Sequence, residues 1–268
     1  SVGSTDYFYV NQNIEGYNWA DLDWGLTTAK TVTLSFWVRS SLTGTFGGSF
    51  VNWAGNYSYP FTYTISAANT WEYKTVTVVG PTAGTWAGAT NAGALQLYFS
   101  LGTGSTYSGT AGSWSANYYG SATGAVSVVG TNAATWYVTG VQLEVGKQAT
   151  SFDWRPYSAE LSMCHRYYQD FRSGGQRNGY PLVNVNTGDV SRVPIFPGLV
   201  QMRTAPTITT YSTDNTTSGV VTVFSAGNNQ NVTSVSQNGG PNIGSGYIQL
   251  SGNIGNPVYF GATYSAEL

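Results

Sequence analysis

Apolar and polar residues alternate along several stretches of the chain, which is the pattern of half-buried β-strands. In residues 31–39, for example, one face holds Val32, Leu34, Phe36 and Val38. The same alternation predicts strands over 7–14, 61–66, 71–79, 95–101 and 136–145. Loops rich in Gly, Ser, Thr and Asn separate them, as at 42–49 and 102–113. The pattern predicts a jelly-roll-like antiparallel β-sandwich.

Tryptophan marks a boundary, because all nine Trp residues lie at or before Trp154. Beyond it, Ser158 predicts the N-cap of a short helix that runs from Ala159 to about Phe171. The apolar side chains at helical spacing are Leu161, Cys164, Tyr168 and Phe171. The pair Gly174-Gly175 is expected to end this helix. We therefore predict a first domain over 1–155 and a helical linker over 156–177.

Residues 178–268 again show strand signals, over shorter stretches. Strands are predicted over 181–186, 191–196, 206–211, 219–225, 230–236, 245–251 and 257–264. These strands predict a second, smaller β-sandwich at the C-terminal end of an all-β chain.

The composition excludes several classes of partner. Charged residues make up only 8% of the chain, but 15% are aromatic, and disordered chains lack aromatic residues. No apolar run reaches the ~20 residues of a membrane helix, so no membrane insertion is expected. The net charge of −2 leaves no basic stripe for phosphates, which argues against a nucleic-acid partner.

Few residues could support catalysis. The one histidine, His165, neighbours the one cysteine, Cys164, in the predicted helix, where adjacent side chains diverge. This excludes the common Ser–His–Asp and Cys–His arrangements, and Cys164 is interpreted as a buried structural thiol. We predict a protein that is not an enzyme.

Carboxylates offer two further possibilities. Glycoside hydrolysis needs two facing carboxyl groups, and the candidates are Glu15, Asp21, Asp23, Glu72 and Glu144. Asp21 and Asp23 could also contribute to a Ca²⁺ site, but such pairs are common in surface loops. The sequence does not forbid a carboxylate pair, but we predict no catalytic pair, no metal site and no cofactor.

Aromatic residues supply the remaining candidates. Two segments combine Trp and Tyr, which can stack on the apolar face of a sugar ring, with Asn, which can bind its hydroxyls. The candidate carbohydrate-binding residues are Trp53, Asn56, Tyr57, Tyr59, Trp114, Asn117, Tyr118 and Tyr119. Packing in the core or at a subunit interface is the alternative for these residues. Trp37, Trp71 and Trp136 lie on predicted strands and are interpreted as packing residues.

One stretch resembles a known group of proteins. It contains Gly-Val-Gln-Leu-Glu-Val-Gly at 140–146, Ala-Thr-Ser-Phe at 149–152, Arg-Pro-Tyr at 155–157 and Cys-His-Arg-Tyr-Tyr at 164–168. This stretch resembles the hinge of tail-fibre and tailspike proteins of bacterial viruses. In that group a sandwich similar to carbohydrate-binding modules precedes a C-terminal tip domain. The terminus 261–268 is similar to the usual end of such fibres.

The resemblance implies a function and partners. It implies a homotrimeric virion protein, located outside the cell, that contacts other tail proteins and attaches the virus to a host-surface glycan. A structural virion protein, such as a head fibre or fibre connector acting only in assembly, is the alternative. A third interpretation is the carbohydrate-binding module of a secreted bacterial enzyme. The sequence Tyr-Ser-Ala-Glu-Leu at 157–161 recurs at 264–268 with no linker beyond it, and we expect this to argue against the third interpretation.

Overall fold

The computed structural model describes residues 2–170, 172, 191–194, 200–212, 216, 218–225, 228–233, 236–239, 246–250, 258–259 and 261–267. Two compact units divide the chain, Ser1–Trp154 and Arg155–Glu267, so the division falls directly after the last tryptophan. Strands make up 42% of the structure and helices 9%, which confirms the predicted all-β fold class.

The first unit contains nine strands and three short 3-10 helices. The strands are β1 (Tyr7–Glu15), β2 (Val32–Ser40), β3 (Gly44–Asn52), β4 (Ser58–Ile65), β5 (Glu72–Val78), β6 (Gly93–Thr103), β7 (Ser108–Gly109), β8 (Ser121–Ala122) and β9 (Trp136–Val145). The 3-10 helices are Gly16–Asn18, Ala20–Leu22 and Ser105–Tyr107. One antiparallel sheet has the order β1-β6-β3-β4 and a second has the order β5-β2-β9, while β7 and β8 form a short parallel pair.

The two antiparallel sheets face each other across one core. The Phe36 ring on β2 lies 5.0 Å from the Phe99 ring on β6 and 5.1 Å from the Tyr63 ring on β4. The apolar face predicted for β2 is buried at all four positions, Val32, Leu34, Phe36 and Val38. Because the inner faces of both sheets contribute to this core, the unit is a β-sandwich.

Strand β3 corrects the sequence prediction, which assigned 42–49 to a loop. Its glycines are required by close packing: a Cβ on Gly48 would overlap the Phe61 ring and the backbone carbonyl oxygen of Tyr98. Glycine in a strand marks such an approach of a neighbouring group. The Gly-rich composition that was interpreted as a loop therefore reflects a central strand under a buried phenylalanine.

The second unit contains one helix and nine strands among its described residues. The helix α1 spans Tyr157–His165, and the strands are β10 (Tyr168–Asp170), β11 (Ser191–Pro194), β12 (Thr207–Tyr211), β13 (Val220–Ser225), β14 (Asn228–Thr233), β15 (Ser236–Gly239), β16 (Gly246–Leu250), β17 (Val258–Tyr259) and β18 (Gly261–Ser265). They pair in three sheets, β10-β18-β12, β11-β16-β15 and β14-β13-β17. The predicted strand 181–186 and the predicted helix stop at Gly174-Gly175 lie outside the described residues.

Helix α1 is shorter than predicted and begins differently. Pro156 occupies the N-cap position without a side-chain cap, so the predicted capping role of Ser158 is wrong. The helix ends at His165, Arg166 and Tyr167 form a turn, and β10 begins at Tyr168. The buried Gln169 side chain on β10 donates to the carbonyl oxygens of His165 and Val200. Cys164 is exposed, so the predicted buried thiol is also wrong.

Candidate functional site

The structure brings the two predicted aromatic segments together at one end of the sandwich. The backbones of Ser58 and Ser115 exchange two hydrogen bonds of 2.9 Å. The Ser58 hydroxyl also donates to the carbonyl oxygen of Asn117 at 2.7 Å and accepts from the Tyr119 amide at 3.0 Å. Asn117 itself is exposed, and its side-chain amide donates to the Ser115 hydroxyl.

Trp114 lies within a cluster of aromatic rings. Its indole N–H donates to the carbonyl oxygen of Val79 at 2.8 Å. Its ring stacks on Tyr57 at 5.6 Å and meets Trp24 edge-on at 5.1 Å. Further ring contacts join it to Tyr59 and Trp86. The faces of Trp114 are therefore engaged by neighbouring rings, which favours a packing role for Trp114 and Tyr57.

Trp53 and Asn56 are more accessible. Trp53 is 40% exposed and lies so close over Gly93 that a Cβ there would overlap its ring. The buried Asn52 organises this turn, since its Oδ1 accepts from the amides of Asn56 and Tyr57 and its Nδ2 donates to Asn56 Oδ1 at 2.8 Å. A sugar-stacking role for Trp53 stays a prediction.

Tyr118 and Tyr119 point to different surroundings. Tyr118 joins a group of tyrosine rings on the outer face of the four-stranded sheet, with Tyr107 at 5.5 Å and Tyr98 at 6.3 Å. Burial raises the pKa of the Tyr98 and Tyr118 hydroxyls, so both remain protonated at neutral pH. Tyr119 packs over Gly109. The eight predicted residues therefore do not form one continuous surface.

A second aromatic surface lies on the outer face of the sheet β5-β2-β9. Cross-strand register places Trp37 opposite Tyr73 and Arg39 opposite Tyr137. The Trp37 and Tyr73 rings are 5.4 Å apart, and Trp71 lies 6.5 Å from Tyr137. The four rings are between 42% and 48% exposed. We call Trp37, Arg39, Trp71, Tyr73 and Tyr137 the aromatic platform.

The exposure of Trp37 and Trp71 shows that neither packs in the core of this chain, and packing at a subunit interface stays a prediction for both. Trp136 does pack, since its indole N–H donates to the Tyr63 hydroxyl at 3.0 Å and its ring meets Phe99. The signal for Trp37 was present in the sequence, because it alternates with the apolar residues Phe36 and Val38 and so falls on the outer face. The pairing of β2 with β5 and β9, which assembles the platform, is not visible in the sequence.

The stretch that resembles viral tail fibres begins at Gly140, within β9. Its first residues lie on the same sheet as the aromatic platform. Strand β9 has a bulge opposite Phe36, because Ser35 pairs with Gln142 whereas Trp37 pairs with Thr139. Gly140 sits in this bulge with φ +57°, a left-handed conformation that glycine adopts without strain. The extra residue changes the alternation, so Gln142 and Glu144 both point outward.

These two side chains hold residues 150–153, which we call the exit segment, against the sheet. Glu144 accepts from the Thr150 amide at 2.8 Å and from the Thr150 hydroxyl at 2.7 Å. Gln142 accepts from the Asp153 amide at 2.8 Å. The Gln-x-Glu pair and the Ala-Thr-Ser-Phe sequence thus form one hydrogen-bonded unit that fixes the path of the chain as it leaves the sandwich.

Glu144→Gln is expected to destabilise the first unit in a pH-dependent way. Hydrogen bonds lower the pKa of the Glu144 carboxyl. The largest effect comes from the Thr150 amide, followed by the Gln142 side chain and the Thr150 hydroxyl. A lowered folded-state pKa contributes stability that is present above the unfolded pKa of about 4.3 and is lost as the pH falls through the folded value. The melting temperature of Glu144→Gln should therefore lie below that of the wild type at pH 7, and the difference should shrink as the pH falls below about 4.3. A difference that stays constant between pH 7 and pH 3 would contradict this role.

Two of the carboxylates considered for catalysis, Glu72 and Glu144, have structural partners. Glu72 forms an ion pair with Lys74 at 2.6 Å and accepts from the amides of Ser66 and Ala67. Glu144 holds the exit segment. Within the part of the chain that the structure describes, no group of three or more His, Cys, Asp or Glu residues is placed to hold a metal ion.

No helix among the described residues is long and apolar enough to span a membrane. Comparison with models of known protein families gave no match, and comparison with curated proteins gave no significant match. We therefore infer function from the residues and their geometry.

Proposed function

We propose that this chain belongs to a tail fibre or tailspike of a bacterial virus, and that it attaches the virion to host-surface glycans without enzymatic activity. The aromatic platform is the observation that supports this proposal. Its exposed Trp and Tyr rings can stack on the apolar C–H faces of sugars. Arg39 and the exposed hydroxyls of Thr75 and Thr139 flank the rings and can bind sugar hydroxyls.

The platform is mounted on hydrogen-bonded strands, which suits recognition. Trp37 lies on the central strand of its sheet, between β5 and β9. Aromatic side chains have few rotatable bonds, so little conformational entropy is lost when a ligand covers them. A binding surface built on strands is also held more precisely than one built on loops. A sugar would therefore meet a largely preformed surface.

The proposal includes a homotrimer that joins other tail proteins. Helix α1 supports an assembly, because none of its residues is buried and Tyr157, Leu161 and Met163 are exposed. A helix of nine residues is marginal on its own in water, so packing against another surface would stabilise it. Three copies would hold three weak sugar sites together and raise the overall affinity by about 10²–10⁴.

The structural virion protein is the second candidate, since Trp, Tyr and Arg also dominate protein–protein interfaces. The exposed area of the platform rings favours a glycan over a second protein as the ligand. Aromatic side chains can bury about 150–250 Å² each, so four rings at 42% to 48% exposure offer roughly 250–450 Å². A stable protein interface needs about 800 Å² from each partner. The rings alone therefore suit a short saccharide better than a second protein.

Labelled full-length chain is expected to bind some strains in a panel of bacterial cells and to lose this binding when the surface polysaccharide is removed. Flow cytometry before and after the removal measures the effect. Incubation with the protein should leave the chain length of the polysaccharide unchanged, because we predict that the protein has no catalytic pair of carboxyl groups. Binding to no strain, by a protein that is still incorporated into virions, would favour the assembly function instead.

A further inference from the structure

We propose that the aromatic platform selects an acidic saccharide, whose carboxylate binds the guanidinium group of Arg39. This inference rests on the proposed glycan-binding function and names the class of glycan. Arg39 is the cation of the platform, and it lies in the same cross-strand row as Tyr137, beside the row of Trp37 and Tyr73. A sugar stacked on these rings would therefore have a guanidinium group at its edge.

Arg39 has unused binding capacity. Its side chain is half-buried, and its Cζ lies 5.7 Å from the centre of the Tyr137 ring. Its Nε is buried without a hydrogen-bond partner, and among the described residues no carboxylate forms an ion pair with it. A partly desolvated cation without an anion is unfavourable. The buried Nε is out of reach of a ligand, so a ligand carboxylate would bind through the two terminal nitrogens of the guanidinium group.

The nearest acidic groups on the sheet do not neutralise Arg39. Glu144 lies on the same face but pairs in register with Thr33, six residues along β2 from Arg39, which corresponds to about 20 Å. That separation exceeds the Debye length of about 8 Å at physiological ionic strength. The Glu72 carboxylate is already paired with Lys74. Neither Glu144 nor Glu72 therefore supplies a counter-charge to Arg39.

The geometry of the two interactions is complementary. A hexuronate or sialate combines an apolar ring face with a planar carboxylate at the ring edge. The ring face suits Trp37 and Tyr73, and the carboxylate suits the planar fork of an arginine, which can donate two parallel hydrogen bonds. A neutral sugar would gain the stacking alone. The platform should therefore discriminate by charge as well as by shape.

Calorimetric titration with matched ligands tests this proposal. The probes are oligogalacturonate and oligosialate, each compared with its methyl ester, which keeps the rings and removes the charge. We expect at least one acid to bind the full chain about tenfold more tightly than its ester, the range of one charge-assisted hydrogen bond. The preference should weaken as the salt concentration rises.

Variants at Arg39 separate charge from stacking. Arg39→Gln should bind acid and ester alike, and Arg39→Lys should retain part of the preference because it keeps the charge but not the fork. Thermal unfolding checks that both variants are folded. Equal binding of acid and ester by the wild type, or an unchanged preference in Arg39→Gln, would overturn the acidic-ligand proposal and leave glycan binding standing. If neither these acids and esters nor neutral oligosaccharides bind, both proposals fail.

Discussion

Trp114→Ala is expected to lower the free energy of unfolding by about 3 kcal/mol or more. The substitution removes ring contacts with Tyr57, Tyr59, Trp24 and Trp86, and it leaves the carbonyl oxygen of Val79 without its indole donor. A cavity among four aromatic rings cannot close easily, because each ring is held by other neighbours. The loss should therefore be large although Trp114 is itself only partly buried.

Trp53→Ala is the matched control. Trp53 belongs to the other of the two aromatic segments that meet at this end of the sandwich, but it is 40% exposed. It should lower the free energy of unfolding by about 1 kcal/mol or less. Denaturant unfolding at one fixed protein concentration compares the two variants, since assembly would make stability depend on concentration. Equal losses in the two variants would show that Trp114 is not the packing residue described here.

The paired substitution Trp37→Ala and Tyr73→Ala is expected to weaken glycan binding by about 3 kcal/mol, or roughly a hundredfold. The estimate takes 1–3 kcal/mol for each stacked ring, by analogy with aromatic stacking on nucleobases. Both rings are more than two-fifths exposed, so the double variant should remain folded. The double variant should therefore lose glycan binding but keep its stability, whereas Trp114→Ala should lose stability.

Tyr17→Ala is the control for exposed aromatic surface. Tyr17 is 60% exposed and lies on the first 3-10 helix, outside the platform. Its replacement should leave glycan affinity unchanged. If Tyr17→Ala weakens binding as much as the platform variant does, the effect comes from a general change in the surface and not from stacking on the platform.

The sequence predicted the strands whose apolar residues alternate. Strand β2 is an example, since every apolar residue assigned to its inner face is buried. Strand β3 was missed because its inner packing uses Gly48, which has no side chain to contribute to an alternating pattern. Helix α1 was extended too far because Tyr168 continues a helical spacing by chance, while pairing between β10 and β18 decides the conformation there.

The candidate site was only partly predictable, because sequence identifies aromatic residues but not which of their faces are free. Trp114 lies in a polar loop sequence and Trp37 in an apolar strand sequence, yet Trp114 is the more enclosed of the two. Trp114 is enclosed by rings that come from residues 24 and 86, far away in the sequence, whereas Trp37 is left open by its sheet. Tertiary pairing sets this difference. The sequence showed Gly140 only as part of the stretch that resembles viral tail fibres. The bulge at Gly140 follows from the pairing register of β2 with β9.

The most direct test of glycan recognition by the platform is saturation-transfer NMR on the full chain with oligosaccharides released from a strain that it binds. Saturating the aromatic ring protons should transfer signal to the C–H protons on one face of the sugar, because those protons would lie against the rings. The transfer should disappear in the Trp37→Ala, Tyr73→Ala variant and persist in Tyr17→Ala. Transfer that survives in the folded platform variant would contradict the account and place the sugar elsewhere on the molecule.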